Sequence, residues 1–179
     1  MKTAVRHTAL ACVIAAAALS GGCATPATSA GMVATPPPTA VHQVGSDVSV
    51  AVSGGSATSS TGASQISDDS FAQALTDSIT KSGLFAKVSP SGARYKLAAF
   101  IGKVDQPMFG FSMTVKMEVS YTLTDTQSNK SVWSKDISSE YTAKASEAFA
   151  GVKRLRLANE GAARENIQQA IAAMAALTL

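Results

Sequence analysis

The sequence has little of the chemistry on which most enzymes depend. It contains two histidines and two cysteines, and we expect His7 and Cys12 to be removed with the start of the chain. The remaining pair, His42 and Cys23, is too small a set for a zinc cluster, and it supplies no Ser–His or Cys–His nucleophile pair within a folded domain. The composition therefore predicts a non-enzymatic protein with no disulfide, metal or cofactor.

Carboxylates are the other candidates for acid–base chemistry, and they have simpler explanations. Asp68 and Asp69 precede an apolar periodic segment, where acidic side chains favour the start of a helix. Glu118 lies on the polar side of an alternating strand and is expected to be solvated. The Gly54-Gly55 segment lacks the Lys-Ser/Thr of a phosphate-binding loop. An enzyme is therefore the least favoured class.

No apolar run is long enough to cross a membrane. The segment Ala9–Leu19 falls well short of the ~20 residues that a spanning helix needs. It follows Lys2 and Arg6 and precedes the small residues Ser20–Gly22. A positive start, a short apolar middle and a small-residue end predict a secretory signal peptide over residues 1–22.

The end of this segment, Leu19-Ser20-Gly21-Gly22-Cys23, resembles the lipobox of bacterial lipoproteins. The resemblance implies cleavage after Gly22 and fatty acyl chains such as palmitate on Cys23, and two or more chains hold a protein stably on a membrane. Ser20 stands where the motif usually has leucine, so a conventional signal peptide cut near Ala24 is the alternative. Ala24 itself, rather than aspartate, implies sorting to the outer membrane.

Charge and composition narrow the partners and divide the mature chain. Loss of residues 1–22 leaves 13 basic residues against 12 acidic ones, so nucleic-acid binding has no support. Residues 23–44 are rich in Pro, Ala and Thr, which predicts a disordered tether that holds the domain away from the lipid. Residues 45–179 are expected to form one periplasmic domain. Within it, the Gly/Ser-rich residues 53–65 read more readily as disordered than as a functional loop.

Hydrophobic periodicity predicts the elements of that domain. Tyr95–Val104 is apolar on both faces and is expected at the centre of a sheet, whereas Ser112–Thr124 alternates between apolar and polar residues. The expected elements, in chain order, are a strand at Asp47–Val52, a helix from Ser67 to Gly83, strands at Tyr95–Val104, Ser112–Thr124 and Ser131–Thr142, and a helix at Lys153–Leu177. This order, β-α-β-β-β-α, predicts an α/β (α+β) two-layer sandwich, with a four-stranded mixed sheet and two helices on one face.

The last helix contains two charge pairs and one weak point. Glu160 is four residues from both Arg156 and Arg164, so either pair could support the helix. Gly161 interrupts the pattern, and the sequence assigns it no role.

Three stretches resemble a loose group of small bacterial envelope lipoproteins. They are the Val-rich strand Val48–Val52, the helix exit Ser82–Phe85 with Lys87-Val88, and the hairpin Tyr121–Ser134. The group includes the curli-secretion and Pel-secretion lipoproteins, the penicillin-binding-protein activator lipoproteins and the auxiliary lipoproteins of ABC transporters. Its members resemble the N-terminal domain of the translocation protein TolB. The resemblance implies that fold and an accessory or assembly role, although fold alone is a weak guide to function.

Two clusters are candidates for an interaction. Met108, Phe109 and Phe111 lie at a turn between strands; the slightly favoured interpretation is that Phe109 and Phe111 fold back onto the core, and the alternative is contact with a partner. Lys153, Arg154 and Arg156 form a local basic cluster that could contact anionic lipid headgroups or a polymer, although a solvated helix face is the simpler reading.

Together these features predict an outer-membrane lipoprotein facing the periplasm. It would act as a non-enzymatic binding or assembly accessory in envelope biogenesis, secretion or transport. The expected partners are the membrane, through the N-terminal lipid, and an envelope protein. A structural subunit that self-associates into a ring at the membrane is the alternative.

Overall fold

A computed structural model describes residues 24–35 and 42–179. The predicted signal peptide, its cleavage site at Gly22 and the lipidation site at Cys23 lie outside these residues. Within the described part of the chain, no helix is both long and apolar enough to cross a bilayer.

Three helices and five strands make up the described structure. In chain order they are α1 Ser29–Met32, β1 Gly45–Ser53, α2 Asp68–Ser82, β2 Phe85–Val88, β3 Tyr95–Asp105, β4 Met113–Asp125, β5 Lys130–Ala143 and α3 Gly151–Met174.

The sheet has five strands in the order β2-β1-β3-β4-β5. Strand β1 pairs in parallel with both β2 and β3, whereas the β3–β4 and β4–β5 pairs are antiparallel. The prediction of a mixed sheet in an α/β sandwich is confirmed, but the predicted number of four strands is wrong. The missed strand, β2, is four residues long, too short to show an alternating pattern; it is recognisable through its pairing of Phe85 with Gly45.

The helices cover one face of the sheet. Along β4 the predicted alternation is confirmed, since every second residue from Met113 to Asp125 is buried. Strand β3 is central, as predicted, but only one of its faces is buried. Phe100, on the other face, is 54% exposed. In the described residues this second face, which we call the open sheet face, presents mainly polar side chains such as Glu118 and Asp136.

Helix α2 has the termini that the sequence predicts. The Ser67 side chain accepts a hydrogen bond from the backbone N–H of Ser70, which satisfies one of the free donors of the first turn. Gly83 ends the helix with a φ of 67°, a left-handed conformation that glycine adopts without strain.

Gly161 acquires a role in the structure. A Cβ atom at this position would overlap the ring of Tyr141 on β5. The absence of a side chain at Gly161 therefore allows α3 to lie close against the sheet.

The segment at residues 24–35 is packed against the domain, in contrast to the predicted disordered tether. Ala27, Met32 and Ala34 are buried in the same core as the sheet. The backbone N–H of Ala34 donates to the Ser78 hydroxyl at 2.9 Å. Ala27 and Ala34 are small enough to approach α2 and α3 closely, and Met32 adds one large buried side chain.

The Gly/Ser-rich loop at residues 53–65 also has a defined path. The backbone N–H of Ser56 donates a hydrogen bond to the Ile66 carbonyl. The backbone N–H of Gln65 donates one to the Thr58 hydroxyl. Ser64 is buried. The loop closes on itself through these bonds, which composition does not reveal.

Candidate interaction surface

The loop between β3 and β4 starts from a buried polar cluster. The Gln106 side-chain amide donates to the Ser64 carbonyl and to Asn159 Oδ1, both at 2.9 Å. Asn159, which is fully buried, donates to the same carbonyl at 2.8 Å. These bonds tie the β3 end, the 53–65 loop and helix α3 together, so the loop after Gln106 leaves from a fixed point.

Beyond that point the loop presents large apolar side chains to solvent. Met108, Phe109 and Phe111 are 92%, 85% and 91% exposed. The interpretation in which these side chains fold back onto the core is therefore wrong. The alternative, that they contact a partner, stays a prediction.

A second loop adds to the same region. Phe149, just before α3, is 99% exposed, and Val152 in the first turn of α3 is partly exposed. We call Met108, Phe109, Phe111, Phe149 and Val152 the apolar loop surface. Sequence reasoning missed Phe149, although a lone aromatic residue between Ala148 and Ala150 in a segment without periodicity was a usable signal.

The two loops border a groove of about 640 Å³. Its lining includes Met108 and Phe109 from the β3–β4 loop, Val152 and Leu155 from α3, and Gly62 and Ala63 from the 53–65 loop. Arg154 also lines the groove, whose other side chains are apolar, and the groove borders the apolar loop surface. Full burial of a phenylalanine or methionine side chain contributes ~1.5–3 kcal/mol, so this region has a large capacity for apolar binding.

Arg154 holds the two loops together. Its Nη1 atom donates to the carbonyls of Ala148 and Phe149 at 2.8 and 2.6 Å, and its Nη2 atom donates to the Gly110 carbonyl at 3.1 Å. The residue is only 9% exposed. Its charge is consequently used inside the protein, and Arg154 does not serve as a surface contact for an anionic partner.

The predicted basic cluster is therefore divided. Arg156 lies with its Nε atom 3.6 Å from the Glu160 carboxylate, which confirms one of the two expected pairs. Arg164 instead donates to the Gly31 carbonyl at 2.8 Å. Of Lys153, Arg154 and Arg156, Lys153 alone is exposed, beside the apolar loop surface.

The Glu147 carboxylate fixes the loop that carries Phe149. Its oxygens accept hydrogen bonds from the backbone N–H of Lys144 at 2.7 Å and from the Tyr141 hydroxyl at 3.1 Å. The bond from the Lys144 N–H, followed by that from Tyr141, lowers the pKa of Glu147. The charged form therefore stabilises the turn between β5 and α3.

The other carboxylates have structural partners or lie in solvent. Asp68 accepts a hydrogen bond from the Gly55 N–H at 2.7 Å, and Glu118 is exposed on the open sheet face. Asp125 forms a 2.7 Å ion pair with Arg94. Burial opposes its charged form, but bonds from the Ser128 and Gln127 N–H groups and the Arg94 charge outweigh burial and lower the pKa of Asp125. Among residues 24–35 and 42–179, no group of His, Cys, Asp or Glu could hold a metal ion.

Comparison with known proteins finds similarity in fold, among solved structures. No family model and no curated protein matches it. A Xanthomonas campestris protein of the DUF330 family has a TM-score of 0.61 at 12% identity, covering 83% of this chain and 91% of that chain. A candidate lipoprotein from Caulobacter crescentus has a TM-score of 0.51 at 15% identity, covering 72% and 87%.

A PelC dodecamer from Paraburkholderia phytofirmans superposes with a TM-score of 0.49 at 14% identity, covering 81% of this chain and 96% of that chain. At that level of similarity its assembly says nothing about this chain. The likeness to the Caulobacter candidate lipoprotein confirms the resemblance to small bacterial lipoproteins at the level of fold.

Proposed function

We propose that this protein is a lipoprotein of the bacterial outer membrane that faces the periplasm. Cleavage after Gly22 would leave an acylated Cys23, and the domain would act as a non-enzymatic binding or assembly accessory in envelope biogenesis, secretion or transport. The order of charge, apolar run and small residues before Cys23 supports the anchor. The fold, which occurs in a candidate lipoprotein, is compatible with it.

The apolar loop surface is the observation that carries the binding role. Four of its side chains are between 85% and 99% exposed, and apolar surface on a folded domain gains free energy when a partner covers it. The chemistry of the region also favours binding over catalysis, because its exposed side chains are apolar. The ionisable Arg154 beneath them is occupied by backbone carbonyls.

Crosslinking in cells tests this role. A photoreactive residue at Phe109 should form adducts with an envelope component, either lipid or protein, when the cells are illuminated. The matched control is Asp136, which is exposed on the open sheet face. Equal yields at the two positions would contradict the assignment of the surface. Adducts between two copies of this chain at Phe109 would indicate the self-associating subunit instead.

The anchor has a separate test. Cys23→Ser should leave unprocessed precursor, remove the protein from the outer-membrane fraction and abolish incorporation of a fatty-acid probe. Alanine substitution of Ser20 leaves the cysteine in place and should leave acylation intact. Continued labelling of the Cys23→Ser protein would contradict acylation at this residue.

A further inference from the structure

We propose that the apolar loop surface binds the lipid bilayer itself, so that the domain sits directly on the membrane that holds its anchor. This inference rests on the proposed acylation of Cys23 and adds the partner of the site. Three observations support contact with the bilayer. They are the path of the N-terminal segment, the position of its first residues beside the groove, and the shape and charge of the loops.

The N-terminal segment lies along α3, and its contacts advance along the helix in the same direction as the chain. The backbone N–H of Thr28 donates to the Glu160 carboxylate at 2.9 Å. Three residues later the Gly31 carbonyl accepts from Arg164, one turn further along α3. Followed backwards from Thr28, the chain therefore heads towards the N-terminal end of α3, where Val152 and Leu155 line the groove.

The first residues of the segment lie beside the loop that completes the groove. The Ala27 N–H donates to the Gln65 carbonyl at 3.1 Å. Gln65 follows directly on Ala63 and Ser64, and Ala63 lines the groove together with Phe109. The fixed start of the described chain and the apolar loop surface are thus at the same end of the domain.

Chain length then limits how far the anchor can be. Cys23 is four residues before Ala27, and an extended chain spans at most about 3.6 Å per residue. The acylated residue must therefore lie within roughly 14 Å of Ala27. A protein partner of ordinary size has little room between the domain and the bilayer at this end.

The form of the surface suits a membrane interface. Phe109, Phe111 and Phe149 project from loops instead of forming a flat, packed face, and such side chains insert among lipid headgroups and the upper acyl chains. The exposed Lys153 lies at their edge, where a cation meets anionic headgroups favourably. The acyl anchor and the loops would act together as two contacts with one bilayer.

An environment-sensitive fluorophore on the apolar loop surface reports directly whether that surface is in contact with lipid. An introduced cysteine would be the free thiol of the mature protein, because Cys12 leaves with the signal peptide and Cys23 is acylated. The acylated protein carrying Phe109→Cys is labelled and reconstituted, at low protein density, into vesicles of phosphatidylethanolamine and phosphatidylglycerol. Phe149→Cys is the second position, in case the first variant folds poorly. Asp136→Cys, on the open sheet face, is the matched control.

We expect blue-shifted emission at positions 109 and 149 and severalfold quenching by lipids that carry a nitroxide on the acyl chain, with neither effect at position 136. If the protein stays on the vesicles but the emission at positions 109 and 149 equals that at position 136, the proposed membrane contact is overturned and the anchor is not. A blue shift without nitroxide quenching would overturn it in favour of cover by a second copy. Failure of the labelled protein to stay on vesicles would overturn acylation and, with it, this inference.

Discussion

At the scale of the residue, Arg154 decides the shape of the candidate site. Its side chain bonds to carbonyls from both loops, at Gly110 and at Ala148 and Phe149. Sequence reasoning placed this arginine in a surface cluster, because a Lys-Arg-Leu-Arg run contains no sign of which cation turns inward. The residue instead orders the loops whose apolar side chains stay exposed.

Replacement of Arg154 should therefore affect stability and loop order together. We expect Arg154→Met to lower the free energy of unfolding by about 2–3 kcal/mol, since hydrogen bonds from a charged donor are the stronger ones. Denaturant titration measures the change. The neighbouring Lys153→Met, at an exposed position, should stay within about 0.5 kcal/mol of the parent. Equal losses in the two variants would contradict the bridging role.

Gly161 gives a second prediction at this scale. Gly161→Ala gains about 0.5–1 kcal/mol from helix preference, but the new methyl group overlaps the Tyr141 ring, and overpacking costs about 1–3 kcal/mol. We expect a net loss in the free energy of unfolding, measured by denaturant titration. In a Tyr141→Ala background the same substitution should stabilise the protein. A stabilising effect in the parent background would contradict the close approach of α3 to β5.

At the scale of the element, the N-terminal segment departs most from its prediction. Composition indicated a tether because the segment is rich in Pro, Ala and Thr and has little large apolar surface. Burial of Ala27, Met32 and Ala34 depends on the grooves that α2 and α3 provide, and a one-dimensional pattern does not contain that information. The long periodic elements, by contrast, were predictable, since β4 and α2 carry their pattern and caps in their own residues.

Hydrogen exchange distinguishes a packed segment from a tether. The amides of Ala27 and Ala34 bond to the Gln65 carbonyl and the Ser78 hydroxyl, so we expect both to exchange far more slowly than the amide of the exposed Thr25. Exchange of all three at the rate of an unfolded chain would show that the segment is free.

The turn that carries Phe149 should weaken in acid. The pKa of Glu147 is lowered on folding, and a carboxyl of this kind stabilises the folded state above its unfolded pKa and ceases to do so as pH falls through the folded value. The free energy of unfolding should therefore decline as the pH falls below 4.5, the ordinary pKa of Glu147. It should decline further below pH 3.8, the ordinary pKa of Asp125, because the pKa of Asp125 is also lowered in the folded protein. Denaturation at a series of pH values measures this decline. Glu147→Gln should reduce its slope, and an unchanged slope would contradict the assignment.

The candidate site, too, could be predicted only in part from the sequence. Met108, Phe109 and Phe111 were candidates because large apolar residues at a turn are unusual, but whether they turned inward depended on the Gln106–Asn159 cluster and on Arg154. Those contacts join residues far apart in the chain, which explains why periodicity could not choose between the two readings.

At the scale of the whole molecule, the packed segment changes the expected arrangement at the membrane. A domain on a long flexible tether would reach into the periplasm. In the arrangement that we propose, the domain would lie against the lipid surface, because its first fixed residues are beside the groove. Acylation of Cys23 is the claim on which this arrangement depends.

The mass of the N-terminal peptide of the mature protein, isolated from the cell envelope, tests that claim most directly. We expect a peptide that begins at Cys23 and carries a diacylglyceryl group and an amide-linked fatty acid. A peptide that begins at Ala24, or one in which Cys23 bears a free thiol, would contradict it.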